Sequence, residues 1–116
     1  MPTIKVSILV EVDDVPVPNF PIVRRLTTQD AQPLRTTRPS NPGVFTPLPS
    51  GEIATIAVAM LQANQTLAVA LNNRIDAGFT MNPNGIMVLV DTALNAVSIA
   101  NATGSIAQVS ALIAGT

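Results

Sequence analysis

Apolar and polar residues alternate in the segment TIKVSILVEV, residues 3–12. One face carries Ile4, Val6, Ile8, Val10 and Val12, the other carries Thr3, Lys5, Ser7 and Glu11, and Leu9 is the exception. A period of two with β-branched residues is typical of a half-buried strand. Acidic residues follow where an export signal would need small residues at a cleavage site, so we predict a strand and not a signal peptide.

The segment AVAMLQANQTLAVALNN, residues 57–73, has no charged or aromatic residue and is compatible with three structures. A membrane-spanning helix needs about 20 mostly apolar residues, and the polar group QANQT interrupts this run. A soluble helix over residues 52–73 fits the many Ala and Leu residues. The alternation over residues 53–60 favours strands instead. We predict a hairpin with strands near 52–61 and 66–72 joined by a turn at QANQ, with the helix as the alternative.

Two later segments combine turn residues with apolar runs. In MNPNGIMVLVD, residues 81–91, we predict Pro83 and Asn84 at the centre of a tight turn and Gly85 at a positive φ, followed directly by a strand, so that the segment forms a hairpin. In AVSIANATGSIAQVSAL, a strand near 96–100, a turn at 101–104 and a strand near 105–112 predict a further hairpin. Such regular turn signals are typical of an antiparallel β-sandwich.

Proline and basic residues are concentrated in the first half of the chain. Nine of the 10 prolines and five of the 6 basic residues precede Gly51. Proline lacks a backbone donor, so this region is predicted to form arms or sheet edges and not central strands. Within a single domain, we predict an N-terminal strand and Pro-rich extended arm over residues 1–50 and a compact sandwich portion over 51–116. The arm over 13–50 is expected to lie across a neighbouring protein and bury Val15, Val17, Phe20, Phe45 and Leu48.

The charge content suggests association with other chains. The 116 residues suffice for one domain, and 11% of them are charged, compared with about 25% in a typical soluble domain. The formal net charge is −1. A chain near neutrality with few charged residues tends to associate, so we expect a homo-oligomer.

Residues with catalytic or metal-binding chemistry are scarce. The chain has no Cys and no His, and its carboxylates form no recognisable catalytic frame, so we predict no enzyme activity, cofactor or metal. Glu11, Asp13 and Asp14 lack the spacing of a calcium loop and are interpreted as a solvated strand end. Nucleic-acid binding is disfavoured because no Tyr or Trp is available to stack on bases. The candidate residues for protein contacts are Phe20, Arg24, Arg25, Arg35, Arg38 and Phe45.

The segment from GEIATIAVAM through SALIAGT, residues 51–116, resembles the β-sandwich accessory proteins of tailed-bacteriophage virions, in particular trimeric jelly-roll cement or decoration proteins. The resemblance rests on uncharged Ala/Val/Leu strands, Asn-Gly and Thr-Gly turns and the absence of Cys. It implies a jelly-roll-like homotrimer on the capsid exterior, made in the host cytoplasm, that binds an assembled shell of major capsid proteins. It implies no catalytic residue and no membrane association.

Two other functions remain open at this point. A structural component of a virion's tail, baseplate or fibre would share all these traits, and its location in the particle would distinguish it. A carbohydrate-binding sandwich is also compatible with a jelly roll. Sugar sites commonly stack their ligand on Trp or Tyr, and the chain has neither.

Overall fold

The computed structural model describes residues 2–19, 22–41, 43–72, 74 and 78–116, and these residues form strands and turns without a helix. The helix alternative for residues 52–73 is therefore wrong across the part of that segment that is described. The strands are β1 (Thr3–Ile8), β2 (Glu11–Val12), β3 (Val15–Pro16), β4 (Ile22–Thr27), β5 (Asp30–Arg38), β6 (Thr46–Pro47), β7 (Ile56–Ala63), β8 (Leu67–Leu71), β9 (Phe79–Met81), β10 (Ile86–Leu94), β11 (Val97–Ala100) and β12 (Ala107–Gly115).

Strands β5 to β12 form two four-stranded antiparallel sheets that pack against each other. The first sheet has the order β10-β7-β12-β5 and the second has the order β6-β11-β8-β9. The pairing is nested, because β5 pairs with β12, β6 with β11, β7 with β10 and β8 with β9. The resulting double strand is rolled up so that β7 also meets β12 and β8 also meets β11. This is the topology of a jelly-roll sandwich, and it confirms the predicted fold class.

The three predicted hairpins are wrong in their pairing, although their strands and turns exist. Strands β7 and β8, β9 and β10, and β11 and β12 each lie in opposite sheets, so the turns between them carry the chain from one sheet to the other. Two consecutive strands direct their apolar faces towards the same core whether they pair in a hairpin or lie in opposite sheets. The two arrangements therefore have the same sequence pattern. The turn at 82–85 also differs in detail, because Asn84 and not Gly85 has the positive φ, 62°.

The main core lies between the inner faces of the two sheets. Leu61 and Ile113 of the first sheet and Leu67, Val69 and Ile99 of the second are almost completely buried there. Each strand contributes alternate residues, as expected for sheets that pack face to face. The short edge strands β6 and β9 leave little unpaired backbone on the second sheet.

Strand β7 is buried on both faces, which explains its almost uninterrupted apolar sequence. Ala59 and Leu61 belong to the main core, whereas Val58 and Met60 belong to a second cluster on the outer face of the first sheet. The pairing with β12 passes from Val58 directly to Ile56. This bulge changes the alternation, so Ile56 joins the main core.

Residues 3–19 and 22–27 contain two successive antiparallel strand pairs, β1 with β4 and β2 with β3, and are here called the ribbon. Strand β1 pairs with β4 from Thr3 opposite Thr27 to Ile8 opposite Ile22. This half of the ribbon covers part of the outer face of the first sheet. Its side chains Ile4, Val6, Ile8 and Leu26 pack there with Ala31, Val58, Met60, Val88, Val90 and Ala114. The predicted N-terminal strand is thus confirmed over residues 3–8, but Val10 and Val12 are exposed and do not continue its buried face.

The expectation that residues 13–50 form an extended arm lying across a neighbouring protein requires correction. Strand β4 lies in the ribbon, β5 is an edge strand of the first sheet and β6 is an edge strand of the second. Leu48 is buried in the main core and is therefore not available to a neighbouring protein. The sandwich therefore includes strands from before residue 51. The proline positions agree with the predicted edges, since Pro33 lies in β5 and Pro47 in β6.

Candidate partner-binding surface

Arg24 and Arg25 lie on β4, in the half of the ribbon that packs on the first sheet, and both are exposed. Arg25 is directly opposite Lys5 of β1, and Arg24 is opposite Val6. Residues opposite each other in antiparallel strands have side chains on the same face. Because Val6 packs on the sheet, Lys5 and Arg25 belong to the other face, which is open to solvent. We call this the basic face.

Arg35 and Arg38 both lie on β5 but on opposite faces of it. Arg35 is opposite Ser110 of β12 and is exposed on the outer face of the first sheet. Arg38 is opposite Ala107, whose side chain belongs to the main core, and is itself only partly exposed. The Arg38 Nε is buried without a hydrogen-bond partner. The register therefore places Arg25, Arg35 and Arg38 on three different faces, whereas Arg24 lies on the side of the ribbon that carries Val6.

Of the two candidate phenylalanines, the structure describes only Phe45. Phe20 lies outside the described residues. Phe45 is partly buried directly before β6, where it follows the exposed Val44. Its burial within its own chain leaves less of the ring available to a partner than the sequence suggested.

The end of the ribbon, residues 9–16, is the feature that the sequence reasoning missed. Every one of these residues is exposed, and we call this segment the ribbon tip. Leu9, Val10, Val12 and Val15 are 58%, 38%, 63% and 63% exposed. The alternation that assigned Val10 and Val12 to a buried face contained no sign that the packed part of the strand ends at Ile8. The pair Asp13-Asp14 was the one local sign that the strand ends early, because two adjacent Asp residues favour a turn directly after Val12.

A tight turn orders the ribbon tip. Val12 pairs with Val15, and the two residues between them, Asp13 and Asp14, have φ values of 51° and 64°. Positive φ at both central positions defines a type I′ turn, which suits the twist of a two-residue hairpin. The Val17 N–H donates to the Val10 carbonyl at 2.9 Å and continues the pairing. The acidic residues thus lie at the end of an ordered apolar hairpin.

The outer face of the first sheet remains open beyond the ribbon and forms a shallow trough. Two neighbouring cross-strand rows line this trough, and its outward-facing residues are Pro33, Arg35, Met60, Gln62, Ile86, Ser110 and Leu112. One depression of about 330 Å³ lies over its apolar side, and an adjoining one of about 370 Å³ lies beside Arg35. Ile86 is 68% exposed at its margin. The trough combines aliphatic side chains with the polar side chains of Gln62 and Ser110 and the guanidinium group of Arg35.

Asn101 is buried but serves the fold. Its Nδ2 donates to the carbonyls of Arg38 and Ser105 at 2.9 and 2.6 Å, and its Oδ1 accepts from the Thr103 N–H and Oγ1 at 3.1 and 2.7 Å. This network closes the connection between β11 and β12. Among the described residues, no group of three or more His, Cys, Asp or Glu side chains is placed to hold a metal ion.

No protein-family model matches the chain, and no curated protein shows significant sequence similarity to it. The described residues contain no helix of the length and apolar character needed to cross a bilayer.

Proposed function

We propose that this chain is a non-catalytic structural protein of a virion, a capsid cement protein that binds the outside of an assembled shell of major capsid proteins. A jelly roll is compatible with this role but also occurs in lectins and cupins, so the fold alone selects no function. The surface of the molecule has to distinguish between these roles.

The basic face carries the proposal. Lys5 and Arg25 are directly opposite each other on neighbouring strands. Two like charges in this arrangement destabilise an isolated sheet. The same two charges make a favourable contact with a partner whose surface is anionic. They also repel partners with a cationic surface, which adds specificity. We infer that the basic face contacts an acidic surface on the shell.

A protein surface explains the basic face better than a nucleic acid does. The ribbon carries Glu11, Asp13 and Asp14 as well as its basic residues, so a long polyanion would meet repulsion along the same element. The chain also lacks Tyr and Trp for stacking on bases. A folded protein can place its negative charges opposite the basic face alone.

Co-sedimentation with purified particles of the virus that encodes the chain tests the proposal. The parent protein should bind, with an affinity that falls as salt is raised, because exposed ion pairs are screened. Arg25→Glu should weaken binding about tenfold or more. Arg74→Glu, which makes the same change in net charge at another exposed position, should bind as the parent does.

Electron microscopy of the same particles locates the protein. Density on the outside of the shell agrees with a cement protein, whereas density on the tail or baseplate supports the tail alternative. Absence of the protein from the particles, or equal binding by the Arg25 and Arg74 variants, would contradict the proposal.

A further inference from the structure

The ribbon tip has the properties of a preformed docking element. Its four aliphatic side chains are exposed, yet its backbone is held by the type I′ turn and by hairpin hydrogen bonds. An ordered hairpin loses little conformational entropy when it binds, so more of the interaction free energy remains for affinity. Exposed aliphatic side chains grouped on one ordered segment indicate an interaction site.

The trough already belongs to a surface that binds aliphatic side chains from a strand pair. On the same outer face, the packed half of the ribbon buries Ile4, Val6 and Ile8 against the first sheet. The trough continues this face, and Met60 contributes to both. Its chemistry therefore suits a second hairpin with β-branched side chains.

The charges of the ribbon tip and the trough are complementary. The tip carries Glu11, Asp13 and Asp14 beside its aliphatic side chains. The trough carries Arg35 beside the aliphatic side chains of the trough. The described residues that line it include no acidic side chain. A tip in the trough would place carboxylates near Arg35 while Val12 and Val15 lie over the apolar side.

We propose that the ribbon tip of one copy of this chain binds in the trough of a second copy. The two surfaces are different, so the contact is head-to-tail, and repeated contacts close into a ring or extend into a chain of copies. The proposal does not depend on the shell, because both surfaces belong to the free protein. It concerns the ribbon tip and Arg35, whereas shell attachment was assigned to the basic face.

Analytical ultracentrifugation of the free chain tests the proposal. Above micromolar concentration the parent should show a mass greater than the 12.1 kDa of one chain. The variant Val12→Asp/Val15→Asp, which alters the tip, and the variant Arg35→Glu, which alters the trough, should each weaken self-association at least tenfold. Ile106→Asp is the matched control, because Ile106 is 63% exposed, as are Val12 and Val15.

A mixture of the two variants gives the decisive result. The tip variant retains an intact trough and the Arg35 variant retains an intact tip, so an equimolar mixture should form a heterodimer and nothing larger. Circular dichroism of each variant should equal that of the parent, since the substituted side chains are exposed.

Four results would overturn the proposal. The parent could remain a monomer at several hundred micromolar, or the tip variant could associate as strongly as the parent. The mixture could fail to form a heterodimer, which would indicate a symmetric contact between like surfaces. Finally, Lys5→Glu/Arg25→Glu could abolish association while Arg35→Glu leaves it intact, which would place the tip on the basic face.

Discussion

Asparagine and aspartate residues hold the non-glycine positive-φ positions of this chain, five of them in turns and Asp91 at an irregularity within β10. Six non-glycine residues that the structure describes have a positive φ, and all six are Asn or Asp; they are Asp13, Asp14, Asn19, Asn72, Asn84 and Asp91. These two residue types enter the left-handed region more readily than others because their short polar side chains can bond to nearby backbone. The many Asn residues of the chain therefore indicate where turns are possible. They locate the turns in the sequence without specifying which strands pair across them.

Gly115 is required for a different reason, which is close approach of backbone. A Cβ at this position would overlap the Thr55 carbonyl oxygen and would lie 2.9 Å from the Thr55 carbonyl carbon. The contact belongs to the bulge in β7, where the Thr116 N–H donates to the same Thr55 carbonyl at 3.0 Å. No periodicity or turn signal in the sequence marks this constraint.

Gly115→Ala is expected to lower the free energy of unfolding by about 2 kcal/mol, because backbone atoms must move to admit the methyl group. Ser110→Ala, an exposed substitution on the same strand, should change it by less than about 0.5 kcal/mol. Urea unfolding followed by circular dichroism measures both. Equal midpoints for the two variants would show that the β7 bulge accommodates a side chain at residue 115.

At the scale of elements, the strands were predictable but their partners were not. The alternation over residues 3–8 and the apolar run of β7 identify strands, because a period of two and β-branched residues are local properties. Pairing depends on which faces meet in three dimensions. The ribbon covers the outer face of the first sheet, and only this arrangement explains why Val58 and Met60 are apolar on the side away from the main core. The faces that carry the candidate arginines followed from strand register, which the sequence does not give.

The ribbon should be less stable than the sandwich that it covers. Val6→Asp places a charge between the ribbon and the first sheet, where Val6 is 8% exposed, and the unpaired carboxylate should release β1 and β4 from the sheet. Hydrogen exchange should then become fast in β1 and β4 while β11 stays protected, because local elements can open separately.

The control for this change is Val23→Asp, which places the same charge on β4 at a side chain that is 44% exposed. It should leave exchange in the ribbon unchanged. If Val6→Asp instead unfolds β11 along with the ribbon, the two parts of the molecule form one cooperative unit, and the prediction is wrong.

The whole molecule is organised by contacts between distant parts of the chain. Strand β5 pairs with β12 over their full lengths, from Asp30 opposite Gly115 to Arg38 opposite Ala107. The nested pairing means that the inner pair, β8 and β9, can form by a local hairpin, whereas each outer pair closes a longer loop. Loop closure removes entropy before the distant contacts form, and β-proteins with such topologies fold slowly.

Refolding should therefore proceed in the range of milliseconds to seconds, with a separate phase of tens of seconds. The slower phase is expected because the chain has 10 prolines and the unfolded state contains a mixture of cis and trans isomers at X-Pro bonds. A double-jump experiment separates the two causes. When the chain is unfolded for about one second and then refolded, isomerisation has no time to occur and the slow phase should disappear, while the faster phase keeps its rate. A main phase completed in microseconds would contradict the argument from topology, because such rates are found for proteins dominated by local contacts.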